Sequence, residues 1–202
     1  MTDGSRAQPD LIRHLGFESV YRLPQFDDGS PTAVPPMDAG EAMKAFTPEQ
    51  RDRVFNVAAR RLAFQLLFLL DAQSVKDAPS VVRAELEQVD ELGPMGAEKI
   101  AATVMGAFTA RSQADADFAS IAPQWPAHRQ AGVDRAILRL AHYELTTGAT
   151  PARIAINEAV ELARYYSTDK SPAFVNGLLD KIAQRTQPAG GVPGPGTTAG
   201  SA

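Results

Sequence analysis

The chain has 202 residues, of which 44 % are apolar, and a formal net charge of −4, so it can bury the core of one domain with tails. The weak negative charge excludes a protein that holds polyanions through bulk positive charge, and the lack of cysteine excludes disulfides and thiolate metal sites. No signal peptide is predicted, and the longest apolar run, LAFQLLFLL, is about half the length of a membrane span. We therefore expect a soluble, cytoplasmic protein.

Both ends of the chain are predicted to lie outside the folded domain. Residues 1–46 are interrupted by Pro and Gly residues, as in DDGSPTAVPPMDAG, and residues 187–202 form a Gly/Pro-rich tail. Such compositions do not bury a core, which predicts two disordered segments around a domain at 47–186. One patch of the first segment, LIRHLGFESVYRL, is either a weak helix or a docking motif.

The domain is predicted to be helical throughout. Thr47, Pro48 and Gln50 form a capping box at the start of a first helix that runs to about residue 73. Apolar spacing and Pro or Gly breaks then predict five more helices, at about 79–92, 95–119, 130–147 and 151–166 and from 171 onward. Because no stretch alternates apolar and polar residues, the fold class is predicted to be all-α.

The first helix divides into two different halves when its residues are placed at 100° intervals. The core stripe consists of Phe55, Leu62, Leu66 and Leu69. The opposite side consists of Arg53 and Arg60, with Arg61 beside them, continued by Phe64 and Phe68. The second half is therefore apolar nearly all round, so it is either a central helix that the fold covers or a face that a partner covers.

No catalytic or metal-binding constellation is present in the sequence. His14, His128 and His142 lack metal-ligand spacing, and the i, i+3 pair Glu158 and Glu161 lacks an accompanying ExxH pattern. We expect these two carboxylates to be solvated or capping groups. The sequence therefore predicts no metal, no cofactor and no enzymatic activity.

The last third of the domain carries three motifs in order, VDRAILRLAHYEL, INEAVELARYYS and SPAFVNGLLDKI. This series resembles the NusB family of bacterial transcription antitermination factors, and the upstream AARRLAFQLLFLLD is similar to the arginine-led first helix of that family. The resemblance covers roughly residues 50–186. It implies an all-α fold built of two three-helix subbundles.

The resemblance also implies a function in transcription. Members of the family bind boxA RNA jointly with the ribosomal protein NusE and join RNA polymerase and other Nus factors in an antitermination complex that supports transcription of rRNA operons. The RNA meets the arginine-rich start of the first helix and the start of the last helix. Carried onto this chain, the implied RNA contacts are Arg51, Arg53, Arg60, Arg61, Lys170, Ser171 and Phe174, and the implied NusE-like docking residues are Phe64 and Phe68.

The start of the last helix allows several interpretations. Lys170 and Ser171 stand where free N–H groups and the helix dipole favour a phosphate, while Phe174 either stacks on a base or joins the core. Gly177 inside this helix costs about 1 kcal/mol relative to Ala, which predicts a close helix approach with Asn176 bonded to neighbouring backbone.

A second buried polar bridge is predicted one helix earlier, at Asn157 and Glu158. These two residues lie in the INEAVELA motif, and we expect them to bridge or cap neighbouring backbone rather than to contact a ligand.

The chain departs from the family pattern because it has fewer arginines at the start of the first helix than family members often have. Residues 47–187 hold 16 Lys and Arg against 17 Asp and Glu, so RNA binding has to come from a local patch. We expect the first-helix cations and the Lys170 corner to converge into one anchorage.

Two alternatives to this RNA-binding function stay open. The first is a protein-only scaffold or homodimer that uses the Phe64/Phe68 face. The second is the NusB-like domain of an RNA methyltransferase, which is disfavoured because only about 16 residues follow the last predicted helix and no Rossmann-type domain is present.

Overall fold

The computed structural model describes residues 46–73, 75–89 and 92–186, and every regular element in these ranges is helical. The α-helices are α1 (Pro48–Gln73), α2 (Ala78–Leu86), α3 (Gly93–Thr109), α4 (Arg111–Ile121), α5 (Gly132–Thr147), α6 (Ala152–Tyr166) and α7 (Ser171–Thr186), with a 3₁₀ turn at Ala127–Arg129. The all-α prediction is confirmed. The predictions for 1–45 and 187–202 lie outside the described residues.

The start of α1 has the capping box that the sequence predicts. The backbone N–H of Thr47 donates to Gln50 Oε1 at 2.8 Å, and the N–H of Gln50 donates to Thr47 Oγ1 at 3.3 Å. Pro48 occupies the first helical position, where its missing N–H costs no intrahelical bond. Local sequence therefore fixes where the helix that carries the arginines begins.

The middle of α1 lies at the centre of the molecule. Residues 61–67 are all buried, and α1 packs against α3, α5 and α6. Of the two alternatives left open for this helix, the first holds for residues 61–67, because the fold itself covers them. Leu62 and Leu66 are fully buried as predicted, whereas Phe55 and Leu69 of the predicted stripe are only partly buried.

The predicted third helix is two helices, α3 and α4, that meet at Ala110. The N–H of Ala110 bonds to the carbonyls of Gly106 and Phe108, while Arg111 Nη1 donates to Phe108 O at 2.5 Å. The Arg111 guanidinium also stacks on the Phe108 ring at 4.0 Å. Arg111 thus donates a hydrogen bond to a carbonyl at the end of α3, where the chain turns. The residues on both sides of this turn favour a helix, so the sequence pattern does not predict the break.

Helix α5 packs against five other helices, α1, α3, α4, α6 and α7. Arg139 of α5 donates a hydrogen bond to Asp71 Oδ1 at 2.9 Å. It also donates two hydrogen bonds, of 2.9 and 2.7 Å, to the carboxylate of Asp115 on α4. Arg135 also pairs with Asp71. Burial by itself raises the pKa of Asp71, but hydrogen bonds and charges from Arg135 and Arg139 outweigh it and lower that pKa below its usual value.

The buried polar roles predicted for Asn176 and Asn157 are wrong, whereas the role predicted for Glu158 stays a prediction. Asn176 is exposed and donates to Asp180 Oδ2 at 2.7 Å along its own helix. A Cβ built on Gly177 meets nothing within 4 Å, so no neighbouring helix approaches closely there. Asn157 is also exposed, and Glu158 is partly buried at the edge of a cleft.

The packing of α5, α6 and α7 on one another, and of α1 and α2 on α3, is compatible with two three-helix subbundles. The division into subbundles stays a prediction.

Candidate nucleic-acid interface

The predicted RNA contacts fall into two groups at opposite ends of α5. Arg60 bonds Glu144 near the end of this helix, while Ser171 bonds Asp134 near its beginning. Because an α-helix rises 1.5 Å per residue, the ten positions between Asp134 and Glu144 separate the two groups by about 15 Å. The expectation of one converged anchorage is therefore corrected to two separate clusters.

In the first cluster, three hydrogen bonds hold Arg60 in place. Its Nε donates to Glu144 Oε1 at 2.9 Å, its Nη2 to Thr150 Oγ1 at 3.1 Å, and its Nη1 to Asn56 O at 3.4 Å. Thr150 in turn donates to the same Glu144 oxygen at 2.8 Å. The side chain is 16 % exposed, so this guanidinium is a fixed charge at the wall of a cleft rather than a free surface cation.

The cleft beside Arg60, which we call the α1–α3 cleft, has a volume of about 690 Å³. Helices α1 and α3, the end of α5, the turn from α5 to α6 and the start of α6 form its walls. It carries three cations and two carboxylates, namely Arg53, Arg60, Lys99, Glu144 and Glu158. Its net charge is thus slightly positive although the domain as a whole is not.

Lys99 is a cation of this cleft that sequence reasoning missed. It is exposed on α3, its Nζ lies 3.4 Å from Asn56 Oδ1 of α1, and it stands 5.5 Å from the centre of the Phe55 ring. No local pattern singles out a lone lysine, because its approach to Arg53 and Arg60 depends on the packing of α3 against α1.

The remaining first-helix cations are placed differently from one another. Arg51 is exposed and its Nε donates to the carbonyl of Phe46 at 3.2 Å, just ahead of the helix. Arg53 is exposed and lines the cleft. The two arginines therefore remain reachable by a ligand, and Arg53 is the one that faces the same space as Arg60.

Arg61 and Phe64 lie inside the protein, which corrects their predicted placement on an outer face. Arg61 is 1 % exposed and Phe64 is 3 % exposed, because other helices cover this side of α1 as well. The Phe64 ring packs on Tyr166 at the end of α6 with centroids 4.9 Å apart. Neither side chain offers surface to RNA or to a protein partner in this conformation.

The second cluster borders the first turn of α5. Phe68 is partly buried and packs on this turn, since a Cβ built on Gly132 would lie 2.9 Å from Phe68 Cε2. Lys170 is exposed in the turn before α7, and Phe174 is partly buried against the core. Of these three residues only the cation, Lys170, is exposed, while both aromatic rings are partly buried.

Ser171 holds this corner together from within. It is 3 % exposed, its Oγ donates to Asp134 Oδ2 at 2.9 Å, and it lies 2.9 Å from both Ser167 Oγ and Thr168 Oγ1. Its predicted contact with RNA is replaced by a buried bond that ties α7 to α5. The exposed Lys170 is thereby held at a fixed place relative to α5.

The start of α7 has fewer free donors than a typical helix N-terminus. The N–H of Ser171 bonds to Thr168 O at 2.9 Å, the N–H of Phe174 bonds to Lys170 O at 3.3 Å, and Pro172 has no N–H. A phosphate at this corner would depend on the Lys170 ammonium more than on the helix backbone.

Other kinds of site have little support in the described residues. These residues contain no group of three or more His, Cys, Asp or Glu side chains that could hold a metal ion. Within the same ranges, none of the helices has the length and apolar character that crossing a bilayer requires.

Comparison with known proteins gives the two clusters their context. The model of the NusB family matches residues 57–184. The transcription antitermination protein NusB of Herpetosiphon aurantiacus is 39 % identical over 132 residues, which cover 63 % of this chain and 89 % of that protein. NusB of Roseiflexus sp. (strain RS-1) is 40 % identical over 129 residues, which cover 62 % of this chain and 89 % of that protein.

Solved structures agree with the sequence comparison. T. maritima NusB superimposes with a TM-score of 0.58 at 30 % identity, over 65 % of this chain and 92 % of that chain. The antitermination factor NusB in a crystal structure with NusE and dsRNA gives a TM-score of 0.57 at 23 % identity, over 65 % of this chain and 97 % of that chain, which shows a shared fold. The family model, the two relatives and these folds lead to one conclusion: the chain belongs to the NusB family.

Proposed function

We propose that this chain is an RNA-binding transcription antitermination factor. It binds boxA-type RNA together with the ribosomal protein NusE and joins RNA polymerase and other Nus factors, supporting transcription of rRNA operons from the cytoplasm. The observation that carries the proposal is the family match over 57–184, with relatives named as transcription antitermination proteins at 39 and 40 % identity. A NusB of the same fold has been crystallised with NusE and dsRNA, which supports both classes of partner.

The contacts with RNA are proposed at the two clusters. Arg51, Arg53 and Arg60 supply cations at the start of α1, and Lys170 supplies one at the start of α7, followed one turn later by Phe174. A single strand that crosses both clusters has to span about 15 Å, and at a rise of about 3.4 Å per nucleotide along the axis of a helical strand this corresponds to about four or five nucleotides. One short RNA element is therefore long enough to occupy both.

NusE is proposed to strengthen this binding. With few cations in each cluster, the affinity of the chain alone should be modest and should fall as salt rises. A second protein that contacts both the RNA and this chain raises the effective concentration of the strand at the clusters. Phe68 is the one of the two predicted docking residues that retains exposed surface for such a partner.

The test is fluorescence anisotropy of a labelled single-stranded boxA RNA titrated with the full chain, with and without NusE. A scrambled RNA of the same length is the control. The proposal expects tighter binding of boxA than of the scrambled RNA, and a further increase when NusE is present. Equal binding of both RNAs in the presence of NusE would contradict it.

A further inference from the structure

We infer that the α1–α3 cleft is a binding pocket for one nucleotide of a single-stranded RNA, with its phosphate between Arg53 and Lys99 and its base against Ile154. The inference rests on the proposed RNA-binding function and goes beyond it by naming the pocket, the additional residues from α3 and α6, and the part of the RNA that each one holds.

The charges of the cleft fit one phosphodiester. Arg53 of α1 and Lys99 of α3 are exposed cations on two walls of the same space, and the guanidinium of Arg60 in this lining is bonded to the carboxylate of Glu144. Counting also Glu158, three positive and two negative charges leave a net charge of about +1 in the cleft. A single phosphodiester carries one negative charge, so one linkage neutralises the site whereas a group with several charges does not.

The size and apolar lining of the cleft fit a base. Its volume of about 690 Å³ falls in the range of ligand pockets, roughly 300–1,000 Å³. Ala63 and Ile100, exposed by 2 % and 1 %, contribute to its floor, whereas Ile154 at its edge is 48 % exposed. Few large apolar side chains in the described residues are left this open, and a base turned into the cleft would cover it.

The experiment measures binding of the full chain to a fluorescein-labelled pool of twelve-nucleotide single-stranded RNAs of random sequence, at several salt concentrations. Each phosphate contact with a single strand adds about 0.7 to the slope of log affinity against log salt. Lys99→Gln should therefore weaken binding about fivefold at 0.1 M salt and lower the slope by about 0.7. Its matched control is Lys181→Gln, an exposed lysine on α7 away from the cleft.

A substitution on the apolar side of the pocket should change the affinity for RNA but not its salt dependence. Ile154→Ala should weaken binding roughly fivefold through lost burial against the base, with no change of salt slope because no charge is removed. Its control is Met95→Ala, a methionine that is 85 % exposed and does not line this cleft. Because Ile154 and Lys99 are both exposed, neither substitution should unfold the chain, which circular dichroism can verify.

A double-mutant cycle tests whether Arg53 and Lys99 share one phosphate. If they do, Arg53→Gln combined with Lys99→Gln lowers the slope by about as much as either substitution alone. Additive losses would overturn the shared phosphate. If Lys99→Gln and Ile154→Ala behave like their controls while Lys170→Gln weakens binding, the pocket is refuted and the proposed function stands. If the unmodified chain binds boxA RNA only when NusE is present, the same variants and controls are compared in that mixture; if it binds neither the pool nor boxA RNA with NusE, both proposals fail.

Discussion

Arg60 Nε lies 2.9 Å from Glu144 Oε1, an ion pair that joins α1 to α5 across 84 positions of the sequence. The pair orients the guanidinium along the wall of the α1–α3 cleft, and it also places a negative charge in the same cleft in which an RNA phosphate is proposed to bind. Glu144 thus positions Arg60 and competes with RNA for it.

Replacing Glu144 with Gln should tighten RNA binding and destabilise the fold. The amide keeps a hydrogen bond to Arg60 but removes a negative charge from the cleft, so affinity should rise severalfold at low salt. Loss of a charge-assisted bond should lower the free energy of unfolding by about 1 kcal/mol. Anisotropy titrations and urea unfolding measure the two effects, with the exposed Glu87→Gln as control. Weaker RNA binding by a folded Glu144→Gln variant would contradict the competition.

Ser171→Ala should destabilise the protein without changing its affinity for RNA. The substitution leaves the buried Asp134 Oδ2 without the hydroxyl that donates to it at 2.9 Å, which should cost about 1–3 kcal/mol. Chemical denaturation measures the loss, and the exposed Ser112→Ala serves as its control. A stable variant with weakened RNA binding would instead assign Ser171 a direct contact.

Two glycines in helices should respond to Ala in opposite directions. A Cβ on Gly106 would lie 2.4 Å from Tyr143 Cζ, so Gly106→Ala should force the ring aside and destabilise by about 1–3 kcal/mol. A Cβ on Gly177 meets nothing within 4 Å, so Gly177→Ala should stabilise α7 by about 0.5–1 kcal/mol. Thermal unfolding distinguishes them, and a loss of stability in Gly177→Ala would reveal packing that the geometry lacks.

Asp71 should contribute to stability at neutral pH but not in acid. Its pKa is lowered in the folded state, so its contribution is present above the unfolded pKa of about 3.9 and is lost as pH falls through the folded value. Asp71→Asn should therefore be clearly less stable than the unmodified chain at pH 7, and the difference should shrink below about pH 4. A gap that stays constant from pH 7 to pH 3 would show that the ion pairs with Arg135 and Arg139 do not stabilise the fold.

Much of the fold could be predicted because its determinants are local. The capping box at Thr47 and Gln50 and the apolar periodicity of the helices identify an all-α chain. The three C-terminal motifs identify its family, and the absence of a catalytic pattern agrees with a family of antitermination factors rather than enzymes. These features are short-range, so a single sequence contains them in full.

The parts that were missed depend on contacts between distant segments. A helical wheel assigns Arg61 to a solvated side because it does not include the helices that bury this residue to 1 % exposure. The break that divides the third predicted helix into α3 and α4 depends on the direction in which the Arg111 guanidinium points. Lys99 joins the cleft only because α3 packs on α1, and the separation of the Arg60 and Lys170 clusters depends on the direction of α5.

The central claim is that two separate cationic clusters hold one RNA strand, and the salt dependence of boxA RNA binding tests it most directly. For the double variant Arg53→Gln/Lys170→Gln, the claim predicts a slope of log affinity against log salt that is lower by about 1.4, and about 25-fold weaker binding at 0.1 M salt. The control is Lys76→Gln/Lys181→Gln, which removes the same charge from two exposed lysines outside both clusters. Identical slopes and affinities for the two double variants would contradict the claim.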